Sequence, residues 1–113
     1  MIKIYHNPRC KKSREGLEYL KSKNVDIQIV EYLKEGLTIE MLQGLLTRFD
    51  GSVEDLLRKQ EKYYKDNLKN SDMSEKKILQ EIIKEPRLLQ RPIIDNGASV
   101  VIGNPVDVID LLM

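Results

Sequence analysis

The sequence predicts an α/β domain built on a small mixed sheet, and three stretches carry that prediction. Residues 2–32 read as strand, amphipathic helix and strand. Residues from about 38 to 90 carry helical periodicity only. Arg91 to Ile102 reads as two short strands around Asn96-Gly97. A strand, a crossover helix and a second strand form a right-handed parallel unit, whereas strands joined by an Asn-Gly turn are antiparallel. The two pairings together make a mixed sheet.

Each element has its own signal. Ile2 and Ile4 mark a buried strand over residues 2–5, ended by Asn7-Pro8. From Cys10 to Lys23, the small or apolar positions Cys10, Gly16, Leu17 and Leu20 fall at helical spacing, and Asn24 offers a left-handed stop. Val25 to Tyr32 alternates apolar and polar residues as a second strand does. Thr38 is placed to cap a helix with Ile39, Leu42, Leu45, Leu46 and Phe49 on its apolar face. Ser52 and Asp55 form a capping box for a short helix that runs through Leu57 to Arg58 and Lys59. Gln60 to Ser71 is largely polar around Tyr63 and Tyr64 and reads as a surface segment or a short helix. Ser74 caps a further helix containing Ile78, Leu79, Ile82 and Ile83, which ends at Pro86. After the hairpin, Asn104 as N-cap, Pro105 at the first helical position and Asp107 at the box position open a final helix.

Composition limits what such a chain does. At 113 residues it is expected to form one domain, 1–113, around one core. With 41% hydrophobic and 33% charged residues, and 19 basic against 18 acidic side chains, it has neither the basic excess of a nucleic-acid binder nor a membrane-spanning run. The N-terminal residues lack the long apolar region of a secretion signal, so a cytoplasmic monomer, away from nucleic acid and membranes, is expected. One cysteine excludes an internal disulfide, and one histidine without a His/Cys cluster excludes the usual zinc sites.

That cysteine is the centre of the chemistry. Cys10 follows the first strand directly and opens the first helix, where the helix dipole and unpaired N–H groups favour a thiolate. His6, Arg9, Lys11, Lys12 and Arg14 place five cationic groups around it if His6 is charged, which favours the thiolate and attracts an anion. The plainer reading is a small buried hydrophobe, but a core cysteine is not normally flanked by Arg9 and Lys11. The cationic run by itself reads as a solvated face, His6 as a turn residue and Ser13 as a solvent-facing helical residue. Arg58 reads equally well as the charge that ends a helix against its negative pole.

The stretches His6-Asn7-Pro8-Arg9-Cys10 with Ser13-Arg14, Asp55-Leu56-Leu57-Arg58-Lys59 and Leu89-Gln90-Arg91-Pro92-Ile93-Ile94 occur in this order along the chain. In this the sequence resembles the glutaredoxin-linked arsenate reductases, the ArsC-like proteins, to which the Spx regulators are related. The resemblance implies a thioredoxin-like fold with a four-stranded mixed sheet and an all-helical insertion, about 38–90, between strands 2 and 3. Pro92 would hold the cis-proline position facing the reactive sulfur.

The resemblance also implies a mechanism. The Cys10 thiolate attacks arsenate or a related small oxyanion held by Arg58 and Arg91, within a site that includes Asn7 and Pro92. His6 and Ser13 help to keep the thiol ionised. No cofactor is bound, and glutathione and glutaredoxin are the reductants and partners. One position departs from the pattern: where arsenate reductases carry a third oxyanion-binding arginine before the last helix, this chain has Asn104. An asparagine hydrogen-bonds an oxyanion at about half the strength of a charge-assisted contact. The chain also stops soon after its last helix begins, and in this it resembles the shorter branch of the family. Other readings remain open at this level: a reductase of glutathione mixed disulfides, an Spx-like redox regulator that binds RNA polymerase, or a binding module with an idle cysteine. The regulator would want a second cysteine where Ser13 stands.

Overall fold

The computed structural model describes residues 1–113. Its four strands are β1 (Ile2–Tyr5), β2 (Ile27–Val30), β3 (Ile93–Asp95) and β4 (Val100–Ile102), in the order β2-β1-β3-β4. β1 pairs in parallel with β2, with Ile4 opposite Ile29, and antiparallel with β3, with Ile4 opposite Ile94. β3 and β4 are antiparallel. Helix α1 (Lys11–Lys21) makes the crossover between the parallel strands. Between β2 and β3 come α2 (Tyr32–Glu35), α3 (Ile39–Arg48), a 3₁₀ turn at Val53–Leu56, α4 (Lys62–Asn67), α5 (Glu75–Lys84) and a second 3₁₀ turn at Pro86–Leu88. This is a thioredoxin-like fold with a helical insertion, as expected. No helix is long and apolar enough to cross a membrane.

The two-residue period of the strands divides the apolar residues between the sheet's faces. Ile2, Ile4 and Ile94 pack with Leu17 and Leu20 of α1 and with Ile109. Tyr5, Ile93 and Val100 face the insertion, where Leu42, Leu45, Ile78, Leu79 and Ile82 build the larger cluster. Asp95 is buried on that side and is ion-paired with Arg48 of α3 at 2.6 Å, which ties the insertion to β3.

The capping signals at Thr38 and Ser74 hold, each side chain accepting from the backbone N–H three residues on, and Asn24 is left-handed. Other expectations are corrected. β2 ends at Val30, and Tyr32 starts a helical turn in which its ring is fully buried. The Ser52–Asp55 box opens a turn that stops at Leu56, because Leu57 is extended and bridges to Leu89. Arg58 is therefore not a helix-terminal charge. The polar stretch after Gln60 contains α4, anchored by Leu68, which is buried. Glu81, on the apparently polar side of α5, is buried among Tyr63, Lys77 and Lys84. The hairpin turn spans four residues, with Asn96 Oδ1 accepting from both Ala98 N and Ser99 N and only Gly97 at positive φ. The last helix is a 3₁₀ segment, Val106–Leu112, preceded by an extended Pro105 and a cis Asn104–Pro105 bond. Asn104 is thus no N-cap, and its side chain is free for other use.

One close approach decides where α1 sits. A Cβ on Gly16 would lie 2.7 Å from Pro92 Cγ, and one on Gly103 would lie 3.1 Å from the same atom. Glycine at these positions lets the helix and β4 close on Pro92, whose bond to Arg91 is cis. In an ordinary helix interior Gly→Ala gains about 1 kcal/mol. Here Gly16→Ala is expected instead to destabilise by about 1–3 kcal/mol through overpacking, as urea unfolding would show; a stabilised variant would contradict the packing.

Candidate functional site

Cys10 is the N-cap residue of α1, one position earlier than the first-turn placement expected from sequence. Its N–H donates to Asn7 O at 3.0 Å, and its carbonyl accepts from Arg14 N at 3.0 Å. The loop that carries it is held from within. Ser13 Oγ accepts from Asn7 N at 3.0 Å and lies 2.7 Å from His6 Nδ1, and Asn7 Oδ1 accepts from Arg9 N at 3.0 Å. Arg14 Nη1 donates to Pro8 O at 2.9 Å. Ser13 is fully buried and His6 and Asn7 nearly so. These bonds fix the strand-to-helix turn and thereby the direction of the thiol.

The proton on Cys10 is pulled both ways. Partial burial is the largest single influence and pushes the thiol's pKa up. Against it act hydrogen bonding from the Arg91 guanidinium and the Ser13 N–H, the charge of Arg91 and the Lys12 N–H. Together they outweigh burial, and the thiol ionises below its ordinary value. A lowered pKa in a half-buried, electropositive pocket is the environment of a reactive thiolate.

The sequence placed five cations here, and the structure separates them. His6 is buried, and desolvation lowers its pKa despite the opposing charge of Glu31, so it is neutral near pH 7. Its hydrogen bond goes to Ser13 rather than to the sulfur, which makes its influence on Cys10 indirect. Arg14 is engaged with Pro8, and Arg9 faces a different groove, beside Glu31 and Lys34. Only Lys11 and Lys12 open onto the cleft that contains Cys10.

That cleft, about 270 Å³, collects residues from four separate parts of the chain. Cys10, Lys11 and Lys12 come from the start of α1, Arg58 and Gln60 from the insertion, Gln90 and Arg91 from the approach to β3, and Asn104 from the turn after β4. Arg58 and Arg91 come together because segments 56–58 and 88–90 form a short ladder: Arg58 N donates to Leu88 O at 2.7 Å and Gln90 N to Leu56 O at 2.8 Å. Gln90 Nε2 adds a bond to Leu57 O at 3.0 Å. Arg58 is steadied by Glu61 Oε2 at 2.7 Å, with both side chains mostly buried. The lining holds four cations and no carboxylate, so it favours a small anion next to the sulfur. No three His, Cys, Asp or Glu side chains converge to hold a metal. Sequence reasoning missed Gln60, Gln90 and Glu61; the adjacency of Gln90 to Arg91 was the one available hint.

Fold and site together define a thioredoxin-like protein with a single cysteine, a cis-proline and a cleft lined by cations. Residues 5–111 match the ArsC family, and the chain belongs to it. It is 34% identical over 108 residues to the arsenate reductase of Haemophilus influenzae, covering 94% of this chain and 93% of that protein. It is 40% identical over 106 residues to the Escherichia coli K12 protein YfgD, described only as uncharacterised, covering 92% of this chain and 89% of the other. The solved structure of an arsenate reductase from Vibrio cholerae superposes with a TM-score of 0.93 at 30% identity, over 99% of this chain and 97% of that one.

The buried neutral His6 couples stability to pH. Unfolded histidine takes up a proton near pH 6.5, and folded His6 only at lower pH. Below that value the unfolded state therefore binds more protons, so the stability contributed by neutral His6 is present above pH 6.5 and is lost as pH falls through the folded pKa. Urea unfolding between pH 7.5 and pH 5 should show this loss, and His6→Gln should flatten the profile relative to the wild type; parallel profiles would refute it.

Proposed function

We propose that the protein is a thiol oxidoreductase that reduces arsenate or a closely related small oxyanion through a covalent adduct on Cys10, with glutathione and glutaredoxin as reductants in a cytoplasmic setting. The observation that carries the reading is the thiol of lowered pKa at the edge of a cleft lined by Lys11, Lys12, Arg58 and Arg91 and by no carboxylate. Membership of the ArsC family and the likeness to arsenate reductases support the choice of oxyanion.

In the reaction, Arg91 and Arg58 hold the arsenate oxygens while the Cys10 thiolate attacks arsenic. A sulfur–arsenic bond forms, and one oxygen departs as water after protonation. The thiol of glutathione then attacks the Cys10 sulfur. A disulfide forms between Cys10 and glutathione, the sulfur–arsenic bond breaks, and its electron pair passes to arsenic, which leaves as arsenite. Glutaredoxin takes the glutathione by thiol–disulfide exchange and releases the Cys10 thiolate. With one cysteine in the chain, the second thiol has to come from outside.

Asn104 favours a second reading on the same chemistry, the reduction of a glutathione mixed disulfide, because it offers an uncharged hydrogen bond where the arsenate reductase pattern has a third arginine. An Spx-like disulfide switch has no partner thiol in this chain. Arsenite formation from arsenate with glutathione and glutaredoxin, abolished in Cys10→Ser, is the expected result. Asn104→Arg should lower the KM for arsenate about five- to tenfold, the difference between a charge-assisted and a neutral hydrogen bond. Reduction of a mixed disulfide without any arsenite formation would select the second reading, and no turnover of either substrate would sink both.

A further inference from the structure

Two buried polar atoms find no hydrogen-bond partner anywhere in the molecule, the hydroxyl of Tyr32 and Nε of Arg91. They belong to one neighbourhood. Tyr32 lies two residues beyond the end of β2, whose Val30 O accepts from His6 N at 2.9 Å, so the residue emerges beside the loop carrying Cys10. Its ring is fully buried in the cluster that includes Leu57, Leu88 and Leu89, the residues leading to Arg58 and Arg91. Burial pushes the phenol's pKa up to about 12; the charges of Arg91, Cys10 and Arg58 act on it next, and the Arg91 guanidinium lies near enough to the hydroxyl to lower it as a hydrogen-bond donor does. The hydroxyl is therefore a neutral group set behind the reactive pair. Leaving two such groups unsatisfied is unusual unless another state of the site satisfies them.

We propose that Tyr32 is a positioning residue for the reactive thiol: its hydroxyl oxygen accepts from Arg91 Nε when the guanidinium closes on the Cys10 thiolate or on an anion bound to it. The chemistry of the two atoms fits this role. Arg91 Nε is a donor with no acceptor, and Tyr32 offers lone pairs from among apolar neighbours. One bond would satisfy both orphans and fix the plane of the guanidinium, leaving its outer nitrogens for sulfur and substrate. No local pattern signals this role, because Tyr32 reads in sequence as the last residue of an alternating strand.

The inference rests on Cys10 being the working nucleophile of the proposed function, yet its test needs no arsenate. The rate of Cys10 alkylation by iodoacetamide is followed against pH in the wild type, Tyr32→Phe, Arg91→Lys and the double variant. Besides Arg91, the groups facing the sulfur are the N–H groups of Lys12 and Ser13 and the cleft side chains of Lys11, Lys12 and Arg58, which all variants retain. Tyr32→Phe should raise the midpoint by about half to one pH unit, the part of one charge-assisted hydrogen bond that the thiolate feels through the guanidinium. Arg91→Lys, which keeps the charge but has no Nε, should raise it alone, and adding Tyr32→Phe to it should change nothing more. Thermal unfolding of Tyr32→Phe at a pH below the thiol's midpoint, where the hydroxyl is unpaired, should occur no earlier than in the wild type, since there the variant removes an unsatisfied buried group. An unchanged midpoint in Tyr32→Phe, or two shifts that add in the double variant, would overturn the proposal, as would a marked loss of stability in Tyr32→Phe below the thiol's midpoint. If arsenate is never reduced but the midpoints follow this pattern, the positioning role stands and the substrate assignment falls.

Discussion

Helix α1 can bring Cys10 against Arg91 only because nothing projects from Gly16 where the helix crosses Pro92. A methyl group at Gly16 would stand 2.7 Å from Pro92 Cγ, so even one added carbon has to move either the helix or the start of β3. Gly103 grants the same ring its space from the side of β4. The proline is thus clasped between two glycines from distant parts of the chain, and Arg91 precedes it directly. Close packing of this kind transmits position: whatever sets α1 on Pro92 also sets the sulfur against the guanidinium.

The electrostatics follow from that contact. Half-burial of a thiol disfavours its anion, and it is the largest influence on Cys10. The thiolate wins because Arg91 and two N–H groups of the first helical turn converge on it. The rest of the loop serves to hold those donors still. Ser13 takes the N–H of Asn7 and pairs with His6, so a buried polar network stands where a mobile loop would otherwise let the thiol turn away. Arg58 reaches the same cleft by another route, through the ladder between Leu57 and Leu89 and the brace of Glu61.

Much of this was legible in the sequence. Alternation and helical spacing located the strands and main helices, since both reflect burial on one side of an element. Cys10 stood out by its charged flanks, and Arg58, Arg91 and Pro92 by resemblance to a family the chain belongs to. Local patterns failed where tertiary contacts decide. Tyr32 continues an alternation but is drawn into the core as a helical turn begins. The charge of His6 depends on a burial that no neighbour in sequence reveals. Arg9 and Arg14 lie close to Cys10 along the chain, as Lys11 and Lys12 do, and only the path of the loop, for Arg9, and the bond from α1 back to Pro8, for Arg14, turn them away. Asn104 has the residue pattern of a helix cap, but the extended Pro105 delays the helix and leaves the amide at the cleft.

The central claim is that Arg91, held in place by the packing at Pro92, makes Cys10 a thiolate. The direct measurement is the thiolate's ultraviolet absorbance as a function of pH, in the wild type and in Arg91→Gln, with Cys10→Ser as the blank. The wild type should be half-ionised well below the free-thiol value of about 8.5, and Arg91→Gln should return to that value or above it, because burial is then less opposed. A wild-type midpoint at or above about 8.5, or one that ignores the loss of Arg91, would contradict the account.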